Sequence, residues 1–486
     1  MKHISISPFH LNQTIRCFAV VLLLGAASPI AFCADTAQQP GNAPVLTVKP
    51  DHAYGVYAVN EPAVWTVDVT SGDRSGLSVV PYAVKRDGGD VIASGTINLS
   101  VGPATITASR AEPGALLAVI SAPTATKRPR LWTGGAIFAP EKIGPAVPAP
   151  ADFDDFWKAK LKELAAIPMN PVVEKASIDD VKFNGGVPYY KVTLDNIWNT
   201  HVQGQLARPV KGNKFPAILF LQAAGVYPLQ KDMVVRPAKK GFLILNIQAH
   251  DIPVDESPEY YKNLKETTLK DYPSFGVNSR DTYYFLRMLL GCVRAAEYLT
   301  SRPDWDGKTL IVCGASQGGL QSFATAALFP KVTALVCDVP AAGDTSAVLA
   351  RPPRGLGWPA CYFPPRPNDP DGAKARTTLS YFDTIYFAAR IHCPANVAVG
   401  LLDEVARPAG VAAIYNAIPG TDKELMIFPL FDHSASGAAP FWWARLDDWK
   451  SAAQEGKPLP PATIPPVNSF FTIIQASAST PAPVPQ

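Results

Sequence analysis

Between residues 45 and 138, apolar and polar positions alternate in short runs: "VLTVKP", "AVWTVDVT", "LSVVPYAVKRDGGDVIASGTINLS", "ATITAS" and "LLAVIS". A period of two sends successive side chains to opposite faces, so each run reads as a half-buried strand. Arg86-Asp87-Gly88-Gly89 stands between two such runs and predicts a hairpin turn. Short strands at this spacing predict an immunoglobulin-like β-sandwich over residues 45–138. It carries no catalytic constellation. Its two readings are a structural spacer, which is preferred, and a carbohydrate-binding module.

The pattern then changes. "APEKIGPAVPAPADFDDFWKAKLKELAAIP" starts as a proline-rich linker and ends as a helix. That helix is predicted to run from an Asp152 cap to residue 166, with Phe153, Phe156, Trp157, Leu161 and Leu164 on one face. Beyond it, "YYKVTLD" and "HVQGQLARP" alternate as antiparallel strands. "PAILFL", "GFLILNI", "TLIVCG", "ALVCDVP", "NVAVGLLD" and "ELMIFP" are apolar throughout, as strands covered on both faces are. Helix-length segments lie between them, notably residues 279–299 and 317–328. Strands alternating with helices predict a doubly wound, mostly parallel α/β sheet over residues 152–452. Residues 456–486 are rich in Pro and Ala and read as an extended tail, in which "SFFTIIQ" is the part expected to dock.

Composition narrows the function. A chain of 486 residues exceeds one typical core, and 47% hydrophobic with 17% charged residues is a globular balance. Lys and Arg total 44 against 41 Asp and Glu, so there is no basic field for nucleic acid and a neutral substrate is expected. Residues 1–33 read as a signal peptide, with Lys2 and Arg16 for charge, "CFAVVLLLGAASPIAF" as the apolar segment, and Ala31 and Cys33 before a cut at Ala34. The expected location is secreted or periplasmic. No other segment approaches the ~20 apolar residues that span a bilayer, so no membrane attachment is expected once the signal is removed. Outside that segment the cysteines are Cys292, Cys313, Cys337, Cys361 and Cys393, odd in number and without C-x-x-C spacing. Cys313 and Cys337 sit in strand-like runs and read as buried free thiols. One disulfide is left open by the sequence. His52, His201, His250, His392 and His433 are scattered, so neither a metal nor another cofactor is implied.

The chemistry concentrates in "TLIVCGASQGGLQSFATAALFP", where Gly314-Ala315-Ser316-Gln317-Gly318 fits G-x-S-x-G. Such a pentapeptide between a strand and a helix lifts a nucleophilic serine onto a strained turn at the top of an α/β-hydrolase sheet. The Gln317 N–H, at the positive helix end, can then receive an oxyanion. A serine needs a base oriented by an acid, and in this architecture they follow in the order Ser, Asp or Glu, His. Two histidines follow Ser316. His392 would enter a strand from the wrong end, whereas His433 follows "ELMIFPLF" at the carboxyl edge where ligands bind. Asp403, closing "NVAVGLLD", is the matching acid; Asp338 is the alternative, and Glu404 and Asp432 are set aside. The second oxyanion donor is assigned to the main chain at Ala223 and Ala224, in "PAILFLQAAGVYP", with Gln222 nearby as a substrate-binding candidate.

"GASQGG", "DTYYFLRMLLGCVRAAEYL", "LSYFDTIYFAARIHCPANVAVGLLDEVARPAGVAAIYNAI" and "ELMIFPLFDH" together resemble the acetyl xylan esterase and cephalosporin C deacetylase group, carbohydrate esterase family 7 of the α/β-hydrolases. The resemblance covers roughly residues 152–449 and implies Ser316 as nucleophile, Asp403 as acid and His433 as base. The chain departs from the family where H-G-Y is usual and Gln222-Ala223-Ala224 stands, and where R-G-Q is usual and "NIQAHDIP" stands. It departs again where Glu usually follows the His and Ser434 stands. These departures bear on acetyl specificity and on the family's oligomer, so a homo-oligomer is left open. His250, in the altered segment, is either a pocket-lining, substrate-binding residue or a buried structural one. Residues 251–278 and 343–378 are long enough for lids; in them Tyr260, Tyr261, Trp358 and Tyr362 either stack on sugars or pack. The expectation is an exported serine esterase removing small acyl groups, acetyl foremost, from an acylated carbohydrate. The alternatives are a prolyl-oligopeptidase-like peptidase and a glycan-binding protein on a non-catalytic hydrolase scaffold.

Overall fold

A computed structural model of the chain describes residues 43–122, 130–178, 186–433, 439–455, 457, 460 and 472–475. The expected signal peptide and most of the Pro/Ala-rich tail lie outside these residues.

The alternating runs form eight strands: β1 (Val45–Pro50), β2 (Val56–Tyr57), β3 (Ala63–Ser71), β4 (Val80–Arg86), β5 (Val91–Ile97), β6 (Ala104–Ala108), β7 (Gly114–Ala122) and β8 (Arg130–Phe138). One sheet has the order β1-β3-β6 and the other β2-β8-β7-β4-β5. Their inward residues, among them Val48, Trp65, Ile106, Val84, Ile120 and Phe138, make one apolar core. The expected hairpin joins β4 to β5, with Asp87 and Gly88 both at positive φ (47° and 71°). Asp87 is buried; its carboxylate accepts from Ala115 N at 2.6 Å and pairs with Arg110 at 3.0 Å.

The rest builds a ten-stranded sheet. In chain order its elements are α1 (Phe153–Ala165), β9 (Val172–Lys175), β10 (Tyr189–Asp195), β11 (His201–Ala207), β12 (Phe215–Leu221), α2 (Asp232–Lys239) and β13 (Leu243–Ile247). Then come α3 (Pro258–Glu266), α4 (Tyr284–Ser301), β14 (Trp305–Ala315), α5 (Gln317–Leu328), β15 (Ala334–Asp338), α6 (Pro370–Leu379) and α7 (Thr384–Ala388). The series ends with β16 (Ala395–Gly400), α8 (Pro408–Ala417), β17 (Lys423–Phe428), α9 (Ala439–Glu455) and β18 (Thr472–Gln475). The order is β18-β17-β16-β15-β14-β12-β13-β11-β10-β9. The six strands from β13 to β17 in that order run parallel. β11, β10 and β9 at one edge and β18 at the other are antiparallel. β18 lies within "SFFTIIQ", where docking was expected.

The strands read as continuous apolar runs because both faces are covered. Leu219 and Val312 belong to the cluster under α4, α5 and α8, while neighbouring Ile218, Ile311 and Cys313 point to the opposite cluster under α2 and α9. Helix α4 is buried nearly all round, as a central helix must be. It begins at Tyr284 rather than near residue 279, because the preceding residues turn back: Tyr284 N donates to Phe275 O and Thr282 Oγ1 to Gly276 O. Asp152 does stand at the N-cap of α1 but caps nothing with its side chain. Its carboxylate instead accepts from Arg280 and Tyr381, so tertiary partners outcompete the local cap.

The sandwich and the large sheet share packing. Ala115 and Ile137 join the apolar cluster of the α4 face, Asn416 of α8 donates to the carbonyls of Pro140 and Ile143, and Gly355 N donates to Asp87 O.

Candidate active site

Ser316 sits between β14 and α5 with φ 57° and ψ −119°, a conformation an L-residue avoids. The surroundings impose it. A Cβ on Gly314 would lie 2.6 Å from the Gly318 carbonyl oxygen and 2.9 Å from that of Leu221, and one on Gly318 would collide with Leu221 O. Both glycines are therefore required for strand, helix and the end of β12 to meet. Ser316 N donates to Asp338 O at 3.0 Å, tying the turn to the neighbouring strand.

His433 and Asp403 reach this point from two later loops. His433 Nε2 is 2.9 Å from Ser316 Oγ, and His433 Nδ1 is 2.8 Å from Asp403 Oδ2. The other Asp403 oxygen accepts from Val405 N at 2.7 Å and Ala406 N at 2.8 Å, so the buried carboxylate is fully engaged. The strand ends earlier than "NVAVGLLD" suggests: β16 stops at Gly400 and Asp403 follows in a turn. Leu401 N donates to Phe428 O and Leu402 N to Phe431 O, which draws the chain toward the exit of β17. A Cβ on Gly400 would collide with Phe431 O, so this glycine lets the Asp403 and His433 loops touch.

Burial opposes charge on His433, yet the charge and hydrogen bond of Asp403, with Asp338 and Asp432 adding to them, hold its imidazolium above the usual range. Asp338 ends β15 beside the serine turn, within electrostatic reach of His433. Burial pushes its carboxyl up to about 7, Asp403 adds to the rise and His433 counters it. Among the described residues its Oδ1 has no hydrogen-bond partner. Glu404 turns to Arg407, and His392 is exposed before the amino end of β16, so neither joins the group.

The other wall is main chain. Gln317 opens α5, where the first N–H groups have no intrahelical acceptor. Ala223 is half-buried and Ala224 exposed in the loop after β12, which packs on Gly318 through Leu221 and Gln222. Gln222 is buried and acts as a staple: its Nε2 donates to Tyr227 O and its Oε1 accepts from Ala249 N. His250 is wholly buried, between Tyr284 Oη (2.8 Å) and Gly225 O (3.0 Å). Burial pushes it down to about 3, with Arg287 contributing, so it is a neutral support beneath the loop rather than a pocket-lining residue. Gln222, a substrate-binding candidate from sequence, and His250, open there between substrate binding and a structural role, are both buried and hold the wall from behind.

Sequence reasoning missed Tyr272, whose hydroxyl donates to Gln317 Oε1 at 2.6 Å and accepts from Gly225 N. It missed Gln321 too, whose Nε2 donates to Gln222 O at 2.8 Å. Each lies in a segment whose pattern carries no signal for this loop. Of the aromatic candidates, Tyr261 and Trp358 are buried, while Tyr362 is 46% exposed at a cleft of about 190 Å³ that also meets Asn278, Phe363, Arg366 and Asp369. Cys292, Cys313 and Cys337 are buried free thiols, and among the described residues no cluster of His, Cys, Asp or Glu is arranged to hold a metal.

The arrangement can activate a serine hydroxyl and receive an oxyanion. The acetyl xylan esterase (AXE1) family profile matches residues 141–452. An acetyl esterase of Xylanibacter ruminicola is 32% identical over 393 residues, covering 80% of this chain and 86% of the relative. The solved acetyl xylan esterase from Paenibacillus sp. R4 superposes with a TM-score of 0.52 at 20% identity, over 63% of this chain and 98% of its own. Acetyl xylan esterase 1 from Thermoanaerobacterium sp. JW/SL YS485 does so with 0.52 at 23% identity, over 63% and 97%. At these identities both speak to the α/β-hydrolase fold.

Proposed function

The chain belongs to the acetyl xylan esterase family of carboxylic ester hydrolases, and on that premise we propose that it is an exported serine esterase that deacetylates plant or algal polysaccharide fragments. The observation that carries the reading is the unbroken chain from Asp403 through His433 to Ser316, at 2.8 and 2.9 Å, ending on a serine held in a strained turn.

In the proposed reaction Ser316 Oγ attacks the acetyl carbonyl carbon while His433 Nε2 takes its proton. Asp403, bonded to Nδ1, holds the ring in the required tautomer and stabilises the imidazolium. The N–H of Gln317 and the main chain at Ala223 and Ala224 receive the oxyanion. Collapse breaks the ester C–O bond, and His433 returns the proton to the departing sugar hydroxyl. Water then attacks the acyl-enzyme with His433 again as base, releasing acetate and free Ser316.

Tyr362, exposed beside polar Asn278, Arg366 and Asp369, supports a sugar stacking there. The strand orders β1-β3-β6 and β5-β4-β7-β8 support the immunoglobulin-like reading of the sandwich, since they follow the A-B-E and C′-C-F-G pattern. The basic and apolar features of residues 1–33 support export.

Replacing Ser316 by Ala tests the reading. Deacetylation of 4-nitrophenyl acetate and acetylated xylan is expected to fall at least about a thousandfold, as loss of a nucleophile does. Unchanged hydrolysis would overturn the assignment, and cleavage of aminoacyl amides alone would move the activity to peptidases.

A further inference from the structure

Adjacent residues of a strand face opposite sides, and β8 places two glycines in succession. A Cβ on Gly134 would meet Val48 and Trp65, at 2.5 and 2.7 Å, inside the sandwich core. A Cβ on Gly135 would meet Leu401, 2.5 Å from its Cβ and 2.6 Å from its carbonyl oxygen. Gly135 shares its face with Ile137, two residues on, which is part of the core of the large sheet. The Gly135 carbonyl is fixed from behind by Trp65 Nε1 at 3.2 Å. Gly55 meets the same target: a Cβ there would lie 2.8 Å from Leu401 Cδ1 and 3.4 Å from Pro429 Cβ.

Leu401 stands two residues before Asp403, and Pro429 lies on the segment leading to His433. The two segments are joined by Leu401 N to Phe428 O and Leu402 N to Phe431 O, each at 3.0 Å. The sandwich thus bears on the loops of the acid and the base at the point where they cross. We propose that the β-sandwich is a positioning element of the esterase site: the bare backbone at Gly135, backed by Gly55, is a shelf against which Leu401 seats, and that seat fixes Asp403 against His433. This rests on the Ser316–His433–Asp403 reading and goes beyond the spacer or glycan-binding roles open to the sandwich.

The test compares full-length Gly135→Ala with Gly134→Ala, its neighbour on the other face. His433 is faced by Asp403 from the turn after β16, Asp338 from β15 and Asp432 from its own loop, and Asp403 is the foremost group raising its pKa. Displacing Asp403 must therefore move the acidic limb of the kcat/KM profile to lower pH. Gly135→Ala is expected to lower kcat about ten- to hundredfold, the cost of a misplacement of about 1 Å, with KM close to wild type and the limb shifted down. Gly134→Ala is expected to lower Tm while leaving kcat and the limb in place. If Gly135→Ala does not fold, Leu401→Ala, which empties the seat, is expected to give the same direction of shift. A folded Gly135→Ala or Leu401→Ala with wild-type kcat and limb overturns the proposal, as does an equal loss in Gly134→Ala. Asp403→Asn separates the two readings: if it is fully active the triad is wrong, and if it is inactive beside a normal Gly135→Ala only the shelf is wrong.

Discussion

On one side of Ser316 stand His433 and Asp403, joined by short bonds between groups that can carry charge, each from its own strand end. On the other side stands main chain, the loop after β12. It is held by Gln222, Tyr227, His250, Tyr272 and Gln321, with His250 kept uncharged by burial. The first wall holds a histidine whose pKa its carboxylate neighbours raise, and the second holds one that burial keeps neutral. Damage to either should cost rate, but only damage to the first should move the pH profile.

Asp403→Asn gives the largest expected effect: kcat lower by about ten thousandfold, since the imidazole loses its tautomer and its counter-charge. Next is His250→Ala, which leaves Gly225 O and Tyr284 Oη without their buried partner. It should cost about 1–3 kcal/mol of stability, read from denaturant unfolding, together with a moderate loss of kcat. Because His250, at about 3, is neutral throughout the working range, the acidic limb should stay where it is. A shifted limb would erase the distinction between the walls.

Asp338→Asn is the smallest and the sharpest. Its carboxylate helps to raise His433, so removing it should move the acidic limb to lower pH, with kcat on the plateau within a few-fold of wild type. Stability should respond as well. A carboxyl raised from 3.8 to about 7 on folding contributes stability that is full below 3.8 and lost as pH rises through 7. Melting temperatures of wild type should therefore fall between pH 5 and 8 by more than those of the variant. Equal slopes would mean that Asp338 carries no such strain.

The wall of His433 and Asp403 was legible because each member carries its signal within its own segment, although the contacts between them span 117 and 30 residues. Gly314, Ser316 and Gly318 are spaced for one turn, and Asp403 and His433 each follow an apolar strand. The supporting wall was not. Tyr272 lies 45 residues before Gln317, and His250 serves a loop that precedes it by 25. No periodicity links such positions, so Gln222 reads as a ligand and His250 stays open between ligand and support, where the structure buries both. Asp152 fails in the same way, its cap signal overridden by Arg280 and Tyr381. The sandwich was legible as strands, but the demand for glycine at 135 comes from residue 401 and has no trace in its own segment.

The four residues of β18 bear on how the protein can be handled. They pair antiparallel with β17, from Glu424 to Ile427, and cover its outer side. The proline-rich stretch before them invites trimming as dispensable sequence. Cutting it would bare a row of unpaired amide and carbonyl groups on an apolar strand, the template on which copies of a protein stack edge to edge. A shortened enzyme would face its difficulty in storage and concentration rather than in catalysis.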